Sequence, residues 1–121
     1  MTEKPEVEAV AGLVKAIKKS SRGWLEAVIA VSEDGTPIVY ENDSITIDPE
    51  YIATAVAAIC GVISSVMELV NSKDYKRVSI ELEDGRKVLI RKYKKYYVVC
   101  LTSTNPNLGF VDMLLEAHLS E

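Results

Sequence analysis

One histidine and two cysteines are all that the sequence offers a transition metal, and they stand far apart as His118, Cys60 and Cys100. A tetrahedral zinc site needs four ligands at characteristic spacings, so no metal set can be assembled from these three. The cysteines lie inside apolar stretches without CxxC spacing and read as buried free thiols, with a disulfide between them left open by sequence alone. Neither has a base or a positive environment in view that would activate it as a nucleophile. The six glycines are scattered and there is no GxxxxGK[ST], so no phosphate-cradling loop is visible. The carboxylate pairs Glu33/Asp34 and Glu83/Asp84 fall in hairpin turns, where turn chemistry explains them. His118 reads as a surface residue of the last helix. No catalytic, cofactor-binding or metal residue is assigned, no cofactor is expected, and the chain is read as not an enzyme.

Other shortages narrow the class further. The start, Met-Thr-Glu-Lys-Pro-Glu, lacks the basic opening and apolar core of a signal peptide, and the expectation is a cytoplasmic protein. A net charge of −4 and a pI near 5.1 argue against nucleic acid as the default partner. No internal repeat, low-complexity tract or linker interrupts the 121 residues. A hydrophobic share of 48% and a charged share of 26% then predict one ordered domain over residues 1–121.

The most informative shortage is local. Between Glu50 and Glu68 there is no charge at all. Asp48 is a good N-cap, Pro49 suits the first helical position and Glu50 complements the positive helix end, while Asn71 and Ser72 supply a stop. The spacing predicts a long helix here, with Ile52, Ala55, Val56, Ile59, Ile63, Val66 and Val70 as an apolar stripe against the chain's own sheet. The other faces carry Ala53, Ala57, Ala58, Cys60, Gly61, Ser64 and Ser65. A helix without a polar face is buried on more than one side. Lipid and protein compete for the second side, because the uncharged run just reaches the lower limit for a membrane span. Its Ala, Ser and Gly content and the strand-like segments around it favour protein, most simply a second copy across a two-fold axis, and no transmembrane span is assigned.

The rest of the chain reads in order as helix, two strands, the long helix, three strands, helix. The first helix is placed at Glu6 to Lys19, and the first strand, Trp24 to Val31, is apolar on both alternating faces. Asp34-Gly35 turns it into a strand from Pro37 to Tyr40, and Glu41 to Ser44 is a polar loop. Arg77 to Leu82, Lys87 to Tyr93 and Tyr96 to Thr102 follow as strands, with turns at Asp84-Gly85 and Lys94-Lys95. Asn105 to Asn107 cap a last helix through Leu119. The expected build is α+β: a five-stranded antiparallel sheet in a three-layer α/β/α sandwich, order α-β-β-α-β-β-β-α.

Charge is uneven. Lys73 through Lys95 holds nine Lys and Arg against four acids, a local +5 that leaves −9 elsewhere, interleaved with Tyr75, Tyr93, Tyr96 and Tyr97. Arg86, Lys87, Arg91, Lys92, Lys94 and Lys95 form a candidate partner-binding basic patch. Such a pattern suits an acidic protein, or RNA or a lipid surface, and equally a hairpin whose edge is kept soluble by lysines.

In this order, the strand from Trp24 to Val31 entering Asp34-Gly35 and Pro37-Ile38, the run Asp48-Pro49-Glu50-Tyr51-Ile52-Ala53 opening a small-residue helix, and Asn107-Leu108-Gly109 entering the last helix resemble the roadblock family, named for a dynein light chain. The similarity spans nearly the whole chain. It implies a profilin-like fold and dimerisation through the long helix and the next strand, residues 49–70 and 77–82. The expected contact residues are Ala53, Ala57, Cys60, Gly61, Ser64, Val78, Ser79 and Ile80. It also implies a non-catalytic scaffold or regulator of Ras-like small GTPases, bacterial members stimulating hydrolysis without an obvious arginine finger, or an adaptor that heterodimerises with another roadblock protein.

Overall fold

The computed structural model describes residues 3–43 and 48–119. Eight elements follow one another: α1 (Glu3–Ser20), β1 (Leu25–Ser32), β2 (Pro37–Asn42), α2 (Pro49–Leu69), β3 (Arg77–Glu81), β4 (Lys87–Tyr93), β5 (Tyr96–Thr102) and α3 (Leu108–Leu119). The strands form one antiparallel sheet in the order β2-β1-β5-β4-β3. The fold is the expected α+β sandwich with the expected element order. The polar loop placed at Glu41 to Ser44 is strand through Asn42, and Ser44 lies outside the described residues.

Both helix ends of α2 follow from local chemistry. Asp48 sits in extended backbone and its carboxylate accepts from the Glu50 N–H at 3.0 Å, with Pro49 next as the first helical residue. At the other end Asn71 takes a left-handed φ of 60°, and the Ser72 N–H reaches back to the Met67 carbonyl at 2.9 Å. In α3, the Asn107 side chain accepts from the Phe110 N–H at 3.1 Å.

The two sides of the sheet are packed differently. On one, α1 and α3 together close a cluster of Val10, Val14, Ile17, Leu25, Val28, Ala30, Leu89, Val98, Cys100, Val111, Leu114 and Leu115. On the other, α2 alone covers Ile29, Val31, Ile90 and Val99 with Ala53, Val56 and Cys60. Strict alternation would send Leu25 to the same side as Ile29. A bulge between Leu25 and Ala27 in the pairing with β5 moves Leu25 to the two-helix side, because the extra residue resets the period of two.

The 32–36 turn ties the first hairpin to α2. Asp34 accepts from the Ser32 hydroxyl and from the Thr36 N–H, and Gly35 has φ 89°. A side chain at Gly35 would be strained by that φ and would crowd Ala57, whose Cβ lies 3.2 Å from where a Cβ would stand.

Candidate protein interface

The contact face expected on α2 is rotated from its sequence-based position. Ala53 and Cys60, expected to meet a partner, are buried on the chain's own sheet, and Ala57 is half-buried beside the Gly35 turn. The reason is the sheet beneath. Ile29, Val31, Ile90 and Val99 already fill that layer with β-branched side chains, so the helix presents small residues to it and comes close. Ala55, Val66 and Val70, expected inside, are consequently exposed. Gly61 and Ser64 are exposed as expected, with open space above Gly61.

What α2 turns outward is an apolar seam at the spacing 4-3-4-3-4: Tyr51, Ala55, Ala58, Val62, Ser65 and Leu69, all exposed. Tyr51 is 78% exposed, Val62 64% and Leu69 83%. That spacing is the seam of a helix that packs on another helix. The 4-3-4-3-4 spacing is written in the sequence, but small residues lie on both faces of α2 and do not distinguish them. By length and composition α2 would also pass as a membrane span. Spanning would require it to leave the sheet that holds Ala53, Val56 and Cys60.

Beside the helix, β3 is an edge strand, and among the described residues no strand pairs with its outer side. Val78 and Ile80 are half-buried, Val78 against the α2 cluster, while Arg77, Ser79 and Glu81 are exposed on the opposite face. Ser79 therefore sits at the middle of an unpaired edge.

The basic patch does not form as one surface. Arg86 pairs with Asp84 at 2.8 Å and Glu26 at 3.4 Å, Lys87 with Glu81 at 2.6 Å, Arg91 with Asp112 at 2.9 Å, and Lys92 with Asp74 at 3.2 Å. Alternation along β4 also puts Lys87 and Arg91 on one face of the sheet and Lys92 on the other. Lys94 and Lys95 remain at the hairpin tip, Lys94 over the Tyr93 ring at 5.3 Å. Asp74, Glu81 and Asp84 belong to the same 73–95 stretch, whereas Glu26 and Asp112 come from other elements, Asp112 being 21 residues from Arg91.

Other chemistry-bearing groups are structural in position. Cys60 and Cys100 are free and buried, and burial pushes the Cys100 thiol up to about 12. The Tyr75 hydroxyl is shut from solvent beside Cys60 and Tyr97, with no hydrogen-bond partner among the described residues, and burial raises its phenol above the ordinary range. His118 is half-buried and its Nδ1 lies 2.9 Å from the Leu114 carbonyl. An open groove of about 350 Å³ runs between β3 and α3, lined by Arg77, Arg91, Leu115, Glu116 and Leu119 among others.

A family model described as Roadblock/LC7 domain matches residues 19–102. No curated protein sequence matches the chain. Among solved structures, the chain is similar to Myxococcus xanthus MglB, with 14% identity, TM-score 0.84, and coverage of 93% of this chain and 84% of that one. It is also similar to the gliding protein MglB of Thermus thermophilus, with 10% identity, TM-score 0.77 and the same coverages. A Roadblock/LC7 domain from Streptomyces avermitilis aligns at 12% identity and TM-score 0.73, covering 88% of this chain and 92% of that one. At these identities the likeness concerns the fold.

Proposed function

The chain belongs to the Roadblock/LC7 family, and from that premise we propose that it is a non-catalytic cytoplasmic scaffold. It acts as a homodimer that binds a Ras-like small GTPase and modulates its nucleotide cycle. The observation that carries the dimer is the outward apolar seam of α2 lying next to the open edge of β3. An apolar helix face of this length is not left to water in a soluble domain, and a second copy buries both features about one two-fold axis. The GTPase part rests on the family resemblance and on the fold shared with MglB, a gliding protein. Regulation would follow from unequal affinity for the two nucleotide states, which shifts the GTPase between them. The internal ion pairing of Arg86, Lys87, Arg91 and Lys92 speaks against an RNA- or lipid-binding hairpin.

The test begins with solution mass by light scattering over a dilution series. A mass near twice 13.3 kDa is expected. The dimer is then titrated against small GTPases loaded with GDP or a GTP analogue, and binding that differs between the two states is expected. A stable monomer would favour a heterodimerising adaptor instead. Equal or absent binding across the GTPases would overturn the regulatory reading.

A further inference from the structure

The open edge of β3 has a definite hydrogen-bonding phase. The Leu82 N–H donates to the Arg86 carbonyl at 2.9 Å, which makes Leu82 and Arg86 a hydrogen-bonded pair across the β3–β4 turn. In an antiparallel ladder such pairs alternate with pairs whose backbone groups point away. With Ile80 opposite Val88 and Val78 opposite Ile90, those two residues also bond inward to β4. The N–H and C=O groups of Arg77, Ser79 and Glu81 are therefore the ones that face the open edge.

The side chains of the same three residues carry a charge pattern that is complementary to itself under a two-fold rotation: basic, neutral, acidic. Arg77 sits opposite Arg91 on β4, an unfavourable like-charge pairing. Arg91 is satisfied by Asp112 at 2.9 Å and Glu116 at 4.0 Å, whereas Arg77 has no carboxylate partner among the described residues. Glu81 gives one carboxylate oxygen to Lys87 and its side chain is 81% exposed.

Resting on the homodimer reading above, we propose that β3 pairs with β3 of a second copy in the register centred on Ser79, so that Arg77 of each chain meets Glu81 of the other, and that these two residues are what select a like chain as partner. Within the span of β3, only this register opposes unlike charges. Moving the axis to Arg77 or to Glu81 sets like charges face to face. Moving it to Val78 opposes Ser79 to Arg77 and leaves Glu81 opposite Tyr75. Moving it to Ile80 opposes Ser79 to Glu81 and carries Arg77 past the strand end to Glu83 in the turn. A slip that changes parity would turn Val78 and Ile80 out of the apolar face. In the Ser79-centred register Val78 meets Ile80 of the second copy on the α2 side, in the closer, non-hydrogen-bonded kind of pair. Both α2 helices then lie on the same side of a continuous sheet, where their seams can meet.

The test is a charge exchange read by light scattering and native mass spectrometry. Arg77→Glu and Glu81→Arg, each alone, are expected to weaken self-association by roughly tenfold or more, because each places two like-charged pairs across the axis. Mixing the two variants should restore association as a mixed dimer, since both cross-axis pairs again join opposite charges. The double exchange R77E/E81R in one chain should restore the homodimer. Single variants that dimerise like the native chain, or a mixture no tighter than its components, would overturn the register while leaving a native dimer standing. A native chain that stays monomeric at every concentration would overturn both the register and the homodimer beneath it. Circular dichroism of each variant checks that these exposed edge positions left the fold intact.

Discussion

The two sides of the sheet differ in who completes them. Below α1 and α3 the chain closes its own core, with Ile17, Leu25 and Leu115 fully buried among aliphatic neighbours. On the other side a single helix covers the strands with Ala53, Val56 and Cys60 and carries its larger side chains outward. One side is finished by folding. The other keeps an exposed apolar helix face, which the proposed dimer would cover, and its inner residues are small where the helix lies on the sheet. The same residue type therefore means different things on the two sides. Leu115 in α3 holds the fold, whereas Leu69 in α2 is exposed and would be covered only in the proposed dimer.

The largest effect that separates the two sides is a truncation. Leu115→Ala removes a fully buried side chain on the closed side and is expected to cost about 2–5 kcal/mol of folding stability by urea denaturation. Leu69→Ala, on a residue 83% exposed, should leave the dilute monomer within about 0.5 kcal/mol of native. Similar losses for both would mean that α2 is finished within the chain.

Next in size is a charge on the open side. Gly61→Glu meets no atom within 4 Å in the single chain, so the variant should fold. Burying that carboxylate at a helix–helix contact should weaken the dimer by about 3 kcal/mol, or roughly a hundredfold in Kd. Ala57→Glu should behave differently and disturb folding, because Ala57 supports the Gly35 turn. Normal dimers from both variants would remove α2 from the interface.

That contrast also shows what was legible in the sequence. Element order, the Asp48 cap and the DG turns were readable because each is written in neighbouring residues. That α2 has a second apolar face was readable too, from the missing charges. Which face was which was not, because it depends on how bulky Ile29, Val31, Ile90 and Val99 are as a layer, a property of residues brought together by the fold. The basic patch failed in part for the same reason: Asp112 and Glu26 pair with it from other elements, beyond the pairs it makes with its own Asp74, Glu81 and Asp84. The charges of one hairpin stand side by side in the chain, whereas Asp112 and Glu26, which fold against them, do not.

Ser79→Pro probes the edge with a smaller expected effect. Its N–H faces away from β4, so proline there removes no bond inside the chain but deletes a donor from each half of a symmetric pairing. Association should weaken by about 1–2 kcal/mol while the monomer's urea midpoint barely moves. Unchanged association would place the paired edge elsewhere.

The smallest effect concerns how the first hairpin is held onto the open side. Hydrogen bonds from the Ser32 side chain, then from Thr36, hold the Asp34 carboxyl below its usual range. A carboxyl whose pKa is depressed by folding adds stability that is complete above its unfolded value, 3.8, and is lost as pH falls below that toward the folded value. Asp34→Asn keeps the shape and removes the titration. The stability gap between native chain and variant should therefore be present at pH 6, begin to close below pH 4 and vanish under strong acid. Because Gly35 of this turn rests against Ala57, the native chain should lose dimer over the same acid range as the turn loosens, while the variant shows a flatter dependence. A gap that stays constant with pH would mean the carboxylate does not hold the turn, leaving the Gly35 contact as what seats the hairpin on α2.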